Sequence, residues 1–596
     1  MLRDAPFLVL DDARPGHEEI AIYSDPIDII RANDASAVDA ALSAIEAARG
    51  RGLHCAGYFS YELGYLLEPR LAPRIPARRE VPLLWFGVFR DRQVRRGTDA
   101  SAWFEENFTG RAYGGPLHFS ETRESYDEKF RRAQDYIRAG DIYQVNLTFP
   151  ADFAFAGDPL ALYARLRARG QGGHSAYIED GVNTILSLSP ELFFTLKEGV
   201  ITARPMKGTA PRVDHGPTDD KMRDWLLSSE KNRAENLMIV DLIRNDLGRI
   251  AKTGTVKTRD LFAVESYPTV HQMVSTVSAE LREHIVPADL LNAVFPCGSI
   301  TGAPKIRAME IIRELEPAPR GIYCGAIGAF APDGSASFNV AIRTLTIRDN
   351  RGTLGVGGAV TADSESAAEF EECVLKARYY TEGRPPIALI ETMRWEPGAG
   401  FVLADLHLDR LARSAALLGL PFDRARFRAE LDNAASDVAA ATMPMRFRFL
   451  FDEQSVTSRG EGFIPTTPQT VWRYGLSDHR VPSNDLLARH KTDWRTLYDA
   501  ERALWSAKGA DEVLFLNEKD ELAEGGISNV FLTLEGRLIT PPLSSGALDG
   551  VLRRSLIERG VCAEETITLA MLARAESLWF GNALRGLVRA VPLTPA

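Results

Sequence analysis

Two kinds of hydrophobic pattern alternate along the chain. Short apolar runs closed by turn residues predict hairpins, and longer stretches with apolar positions three and four apart predict helices. Gly325–Ala331 and Ala336–Ile342 flank Pro332-Asp-Gly334 and read as one hairpin. Thr344–Ile347 and Thr353–Gly357, joined at Arg348–Gly352, read as the next. Ser228–Arg249 reads as a helix started by Ser229 and Glu230, and Ser364–Tyr380 as another with Ser364 as its N-cap. Beyond residue 387, Leu389–Arg394 and Phe401–Leu403 frame the turn Pro397–Gly400, and Leu406–Leu418 reads as an amphipathic helix. Val513–Leu516 with Glu521–Leu522, and Val530–Leu534 with Arg537–Ile539, predict two further hairpins. Ser455–Gln469 is rich in Ser, Gly, Thr and Pro and reads as a surface loop.

Hairpins and long helices without regular βαβ alternation indicate an α+β chain. Thr381-Glu-Gly-Arg-Pro-Pro386 is polar and holds two prolines. Neither helix nor central strand passes easily through it. It divides a first region, 1–383, from a second, 387–596.

Composition narrows the function. The chain has 596 residues, too many for one ordinary core. A net charge of −11 argues against nucleic acid or an anionic membrane as partner. No run reaches the roughly 18 apolar residues of a membrane span, and the start lacks the basic-then-apolar plan of a signal peptide. Five scattered cysteines without a CxxC pair indicate reduced thiols in a cytoplasmic protein.

Several clusters carry candidate chemistry. Arg204-Pro-Met-Lys-Gly-Thr209 fixes Lys207 on a tight backbone, although a lysine on a turn is ordinarily a solvated charge. On the predicted helices, Glu235 enters an apolar stripe with Ile239 and Leu242, and Glu369, Glu372 and Lys376 share a face. Two carboxylates from separate helices suit Mg²⁺, and surface salt bridging explains the same pattern. Phe295–Lys305 places small residues and hydroxyls just ahead of a helix, an anion cradle. No Walker loop is present, and Gly355–Val360 departs from GxGxxG at its last position.

Taken together, these stretches resemble the chorismate-utilising enzymes, from about Gly57 to Tyr380. The resemblance rests on Gly57–Tyr65, Asp141–Asn146, Ser189-Pro-Glu191, Arg204–Thr209, Arg233–Asp246, Pro268–His271, Gly298–Lys305, Ile342-Arg-Thr344 and Gly357–Ser364. It implies a sandwich of antiparallel sheets with helices. It also implies Glu235 and Glu372 as Mg²⁺ ligands, with the metal holding the ring carboxylate of chorismate. Arg343, the backbone at Gly358 and the Tyr323 hydroxyl would grip the enolpyruvyl carboxylate. Thr301, Lys305 and His271 would line the pocket, and Glu191 would act as acid or base. A lysine at position 207 marks the aminodeoxychorismate-forming branch; anthranilate synthases have alanine there and stay the nearest rival. Nothing resembles a glutamine amidotransferase, so ammonia is expected from a separate glutaminase subunit.

The second region resembles class IV pyridoxal-phosphate enzymes over about 388–596. It does so through Leu406–Ser414, His490–Trp494, Leu522–Phe531 and Gly546–Arg554. That resemblance implies a smaller α+β domain of two subdomains. Lys491 would hold the cofactor covalently and Glu524 would face the pyridine nitrogen. Arg410 and the N–H groups of Val551 and Leu552 would hold the phosphate, with Asn529 and Asn582 as lesser pocket residues. It also carries a homodimer through this domain, although the first strands are trimmed at Leu389. Aminodeoxychorismate lyase, transaminase and a degenerate binding module all stay open for this half. Its fusion to an aminodeoxychorismate-forming half favours the lyase, and with it a route to 4-aminobenzoate and folate.

Overall fold

The computed structural model describes residues 6–108, 111–212, 216–266 and 270–593. Pro268 and Thr269, and the first five residues, lie outside them. The chain folds as two units. One comprises Met1–Ala112, Leu117–Phe153 and Asp158–Arg384; the other comprises Tyr113–Pro116, Ala154–Gly157 and Pro385–Ala596.

Two large sheets, of eleven and ten strands, carry the first unit. Residues of both meet in one apolar layer. Leu8, Tyr23, Ile178 and Ile185 of one sheet pack with Tyr58, Trp85, Phe89 and Ile327 of the other. The elements that matter for chemistry are β1 (Met206–Pro211), α1 (Glu230–Gly248), β2 (Val270–Glu280), α2 (Lys305–Leu315), β3 (Ala326–Phe330), β4 (Ala336–Val340), β5 (Thr344–Arg348), β6 (Arg351–Val360) and α3 (Ser366–Leu375). β3 and β4 pair antiparallel across the Pro-Asp-Gly turn. β5 and β6 close on Asp349 and Asn350, both at positive φ (47° and 65°), the primed geometry that suits a tight hairpin.

α1 begins where the sequence indicates. The Ser229 hydroxyl accepts from the Asn232 N–H at 3.4 Å. The other predicted helix is altered. Ser364 does not cap it, because its hydroxyl donates to Glu369 Oε1 at 2.7 Å; Glu365 stands at the N-cap. The helix also breaks after Leu375 and resumes as a short turn over Arg378–Thr381.

The second unit has a four-stranded sheet and an eight-stranded one, each with its own core. Its elements are β7 (Leu389–Glu396), α4 (Ala404–Leu418), β8 (Met445–Phe451), β9 (Val456–Gly462), β10 (Glu512–Asn517), β11 (Leu522–Gly525), β12 (Asn529–Leu534) and α5 (Val551–Glu558). β9 corrects the sequence reading, which made this stretch a loop. It pairs with β8 over seven successive residues. Its side chains are mostly exposed, so only the backbone ladder holds it and no apolar alternation announces it. The eight-stranded sheet is mixed: Val471–Val481 runs parallel to both β10 and Gly586–Pro592. The excursion of Tyr113–Pro116 and Ala154–Gly157 into this unit also has no sequence signal. Tyr113 donates to the Leu418 carbonyl at 2.6 Å, and Tyr113 and Ala156 join the core around Leu389, Met393 and Leu411.

No helix among the described residues is long and apolar enough to cross a membrane. All five cysteines are free and buried.

Candidate active sites

In the first unit, Lys207 sits on a fault in β1. The register with β2 shifts between Met206 and Thr209, and Gly208 takes φ +89°. Such a bulge re-aims a side chain out of the regular ladder. A Cβ at Gly208 would press against Asn232 of α1 at 3.0 Å, so glycine lets the two elements close. Asn236, fully buried, accepts from the Ser275 hydroxyl at 2.6 Å and ties α1 to β2. This brings Glu235 of α1 to bear on Lys207.

Three carboxylates and a second lysine act on the amine through space. Burial holds Lys207 below the ordinary lysine range, with Lys376 adding to the effect and Glu235, Glu191 and Glu372 opposing it. Glu191 is 4% exposed, and burial pushes it up to about 7 against the pull of the Ser299 hydrogen bond and the Lys207 charge. Ser299 Oγ donates to Glu191 Oε1 at 2.7 Å. The Glu372 side chain is 55% exposed, and Lys376 holds it at 2.8 Å. Burial raises its carboxyl, but Lys376, Lys207 and Lys231 together outweigh this and hold it low. Lys231 stands 4.0 Å from Glu235. Lys376 also donates to the Gly357 carbonyl at 2.8 Å, which fixes α3 to β6.

The other sequence candidates have contacts of their own. Both ring nitrogens of His271 are occupied, by Asp219 at 2.9 Å and Ser266 at 2.8 Å, so neither is left for a ligand. Lys305 binds Asp246 at 2.6 Å and the Val294 carbonyl at 3.0 Å. It lines a largely apolar cleft of about 750 Å³ together with Leu237, Leu242, Ile306 and Met309, and Lys207, Glu191, Glu235 and Glu372 are not part of that lining. Thr301 donates to the Cys297 carbonyl at 2.8 Å. Tyr323 lies flat on β6, where a Cβ at Gly355 would meet its ring at 2.2 Å. Gly358 of β6 faces α3, and a Cβ there would touch Glu369 at 3.2 Å and Cys373 at 3.4 Å. Arg343 takes φ +49°, and its carbonyl accepts from the Leu188 N–H at 3.0 Å.

In the second unit, Lys491 runs along the edge of β7 away from β8. Ile390 N–H donates to its carbonyl at 2.7 Å, and Leu389 bridges Thr492. Burial, reinforced by Arg410, Arg495 and Arg448 and opposed by Glu391, lowers the Lys491 amine to about 7. Glu524 of β11 is buried and pushed up to about 7, although the Leu548 N–H bonds it at 2.9 Å. Arg410 of α4 is gripped by Glu391 through Nε at 2.9 Å and again through Nη2. Its Nη1 reaches the Asp549 carbonyl at 3.4 Å, at the start of α5. α5 opens at Gly550 with no side-chain cap, which leaves the Val551 and Leu552 N–H groups without an intrahelical partner. A Cβ at Gly550 would fall 1.8 Å from Asn529 Oδ1, so the close approach there requires glycine. Asn529 donates to the Leu548 carbonyl at 2.9 Å, and Asn582 to the Ile527 carbonyl at 3.3 Å.

Three participants escaped the sequence reading: Ser299, Glu391 and His407. Glu391 and His407 are each 2% exposed and joined at 2.6 Å. Glu391 stands three residues into a strand read only as a hairpin arm, and nothing in its spacing marks it.

The family description "chorismate binding enzyme" matches residues 5–382. The chain belongs to the chorismate binding enzyme family. A second description, "amino-transferase class IV", matches residues 388–591. Aminodeoxychorismate synthase component 1 of Klebsiella aerogenes is 43% identical over 333 residues, 53% of this chain and 74% of that protein. Its counterpart in Escherichia coli K12 is 47% identical over 251 residues, 42% of this chain and 55% of that protein. The chain therefore spans about half the length of the Escherichia coli relative. Anthranilate synthase component I from Streptococcus pneumoniae TIGR4 superposes with a TM-score of 0.53 at 25% identity, covering 61% of this chain and 92% of that one. The chain is an enzyme with two candidate active sites.

Proposed function

We propose that the chain makes 4-aminobenzoate from chorismate in two reactions, one in each unit. The single observation that carries the first is Lys207, a lysine driven toward its neutral form among three carboxylates on a bulged strand.

Replacing the C4 hydroxyl of chorismate by an amine with retention takes two displacements. The neutral Lys207 amine adds at C2 as the C4 hydroxyl departs. Glu191, raised to about 7 and held by Ser299, delivers the proton that makes the departing group water. Ammonia then adds at C4 and the Lys207 amine is expelled. Glu235 and Glu372 are an oxygen donor pair that fits a hard divalent ion completed by substrate and water. Among the described residues no group of three His, Cys, Asp or Glu side chains offers a metal site by itself. Bound there, Mg²⁺ would neutralise the ring carboxylate. Arg343, the Gly358 backbone and the Tyr323 hydroxyl are the proposed grip on the enolpyruvyl carboxylate. The ammonia is proposed to come from a separate glutaminase subunit.

The second unit fits pyridoxal phosphate. Arg410 and the uncapped start of α5 suit a phosphate anion, and the buried carboxyl of Glu524 is the proposed partner of a protonated pyridine. The cofactor, when bound, supplies an electron sink. Lys491, with an amine near neutrality, takes the C4 proton of aminodeoxychorismate. Pyruvate then leaves and the ring becomes aromatic.

Mass spectrometry of products from chorismate, ammonia and Mg²⁺, with and without pyridoxal phosphate, tests both halves. The expected result is 4-aminobenzoate plus pyruvate with the cofactor and aminodeoxychorismate without it. The ortho isomer, anthranilate, would overturn the first half. Aminodeoxychorismate that accumulates regardless of cofactor would overturn the second.

A further inference from the structure

The four-stranded sheet of the second unit has one apolar face and one charged face. Residues directly opposite in an antiparallel pair share a face. Glu391, Met393 and Trp395 of β7 stand opposite Phe449, Phe447 and Met445 of β8, and this face packs into the core beneath α4. The alternate residues set Thr392 opposite Arg448 and Arg394 opposite Arg446. β9 then sets Arg459 opposite Arg448 and Glu461 opposite Arg446. Four arginines thus share a patch three strands wide.

Like charges placed opposite one another destabilise a sheet unless something offsets them. Two of the four are offset within the chain. Arg394 lies 3.1 Å from Glu396, and Arg446 lies 2.8 Å from Glu461. Arg448 and Arg459 make no ion pair among the described residues.

The patch adjoins the second candidate site. Lys491 lies along the edge of β7 beside Ile390, two residues before Thr392. Arg448 is among the charges acting on the Lys491 amine. Arg394 Nη1 reaches the Leu584 carbonyl at 3.4 Å, just beyond Asn582, and Arg585 sits in the field of Arg446. The phosphate end of the site has its own provision in Arg410 and the start of α5, so the cofactor leaves the arginine face without a task.

We propose that this face recognises a carboxylate of the second-site substrate, with Arg448 as the guanidinium that grips it. The proposal rests on the lyase reading, whose substrate carries a ring carboxylate and an enolpyruvyl carboxylate. A guanidinium fork matches a carboxylate in bidentate fashion, which a lysine cannot do. The second site is therefore selective for dicarboxylates, because a monocarboxylate leaves Arg448 unanswered.

The full chain loaded with pyridoxal phosphate is the material for the test. Arg448→Gln is expected to raise the KM for aminodeoxychorismate by about tenfold or more while kcat falls less than about threefold. Arg448→Lys restores only part of the loss. Arg428→Gln, at an exposed position of the same unit, leaves both constants unchanged. An unchanged KM in Arg448→Gln, with pyruvate still released, overturns the proposal and leaves the lyase reading standing. If the wild-type chain releases no pyruvate, that reading falls and a titration decides the proposal alone. The visible absorbance of the bound cofactor is followed as 3-(carboxymethoxy)benzoate or 3-methoxybenzoate is added. A response to the dicarboxylate about tenfold tighter, and lost in Arg448→Gln, supports the proposal. Equal responses, or indifference to the substitution, overturn it.

Discussion

Burial drives the Lys207 amine down and the Glu191 carboxyl up, so the two approach each other in proton affinity. Each also favours the other's charged form, but desolvation dominates in both. The proposed reaction needs this state: a free amine to add to the ring and a protonated carboxyl to release water.

Lys207→Ala is expected to lower aminodeoxychorismate formation by a factor of about 10³ or more while the fold is kept, since a nucleophile has been removed. Product mass spectrometry and circular dichroism check this. A variant that still makes the para product at the wild-type rate would remove Lys207 from the reaction.

In the proposed reaction Glu191 is the acid, with its carboxyl pushed up to about 7, so the first reaction should slow as pH rises through that value. Glu191→Gln should lose this alkaline limb and lower kcat by about 10²-fold. A pH profile of ammonia-dependent turnover is the measurement.

In the second unit, Lys491→Ala should abolish pyruvate release and the visible absorbance of bound pyridoxal phosphate, while ammonia-dependent aminodeoxychorismate formation continues. Absorbance and pyruvate assays on one preparation separate the two halves.

Glu391 is buried, yet Arg410, with help from His407, holds its carboxyl down to about 2. Burial outweighs the carboxylate at His407 and keeps the imidazole below its ordinary range, so the charged pair is Glu391 with Arg410. A depressed carboxyl stabilises the fold above its unfolded value, and that contribution is lost as pH falls through about 2. Glu391→Gln should cost about 3 kcal/mol at neutral pH, the scale of breaking a buried pair. It should also flatten acid unfolding between about pH 4.5 and 2, followed by denaturant titration at several pH values.

Gly355→Ala places a methyl group where the Tyr323 ring stands, 2.2 Å away. Overpacking of this kind costs about 1–3 kcal/mol. A shift in the denaturation midpoint is expected, together with a raised KM for chorismate if the Tyr323 hydroxyl holds substrate.

The α1 helix, the Ala326–Val340 hairpin and the hairpins of the second unit could be read from local pattern, because capping, turn chemistry and apolar period act within a few residues of one another. The motifs around Lys207, Glu235, Lys491 and Glu524 were legible for a similar reason: each packs distinctive residues into a short span. β9 was not, since an exposed edge strand is held by backbone hydrogen bonds that any side chains permit. Nor was the entry of Tyr113 and Ala156 into the second core, which depends on surfaces made by residues some 300 positions away.

Sequence by itself determined the residue types available for chemistry and the family they belong to. Tertiary structure decided which of them share a field: Lys207 with Glu191, Glu235, Glu372 and Lys376, and Lys491 with Arg410, Arg495 and Arg448. It also assigned His271 to Asp219 and Ser266. The reason is physical. Desolvation and Coulomb interaction depend on distance through space and on exclusion of water, and neither is a property of spacing along the chain.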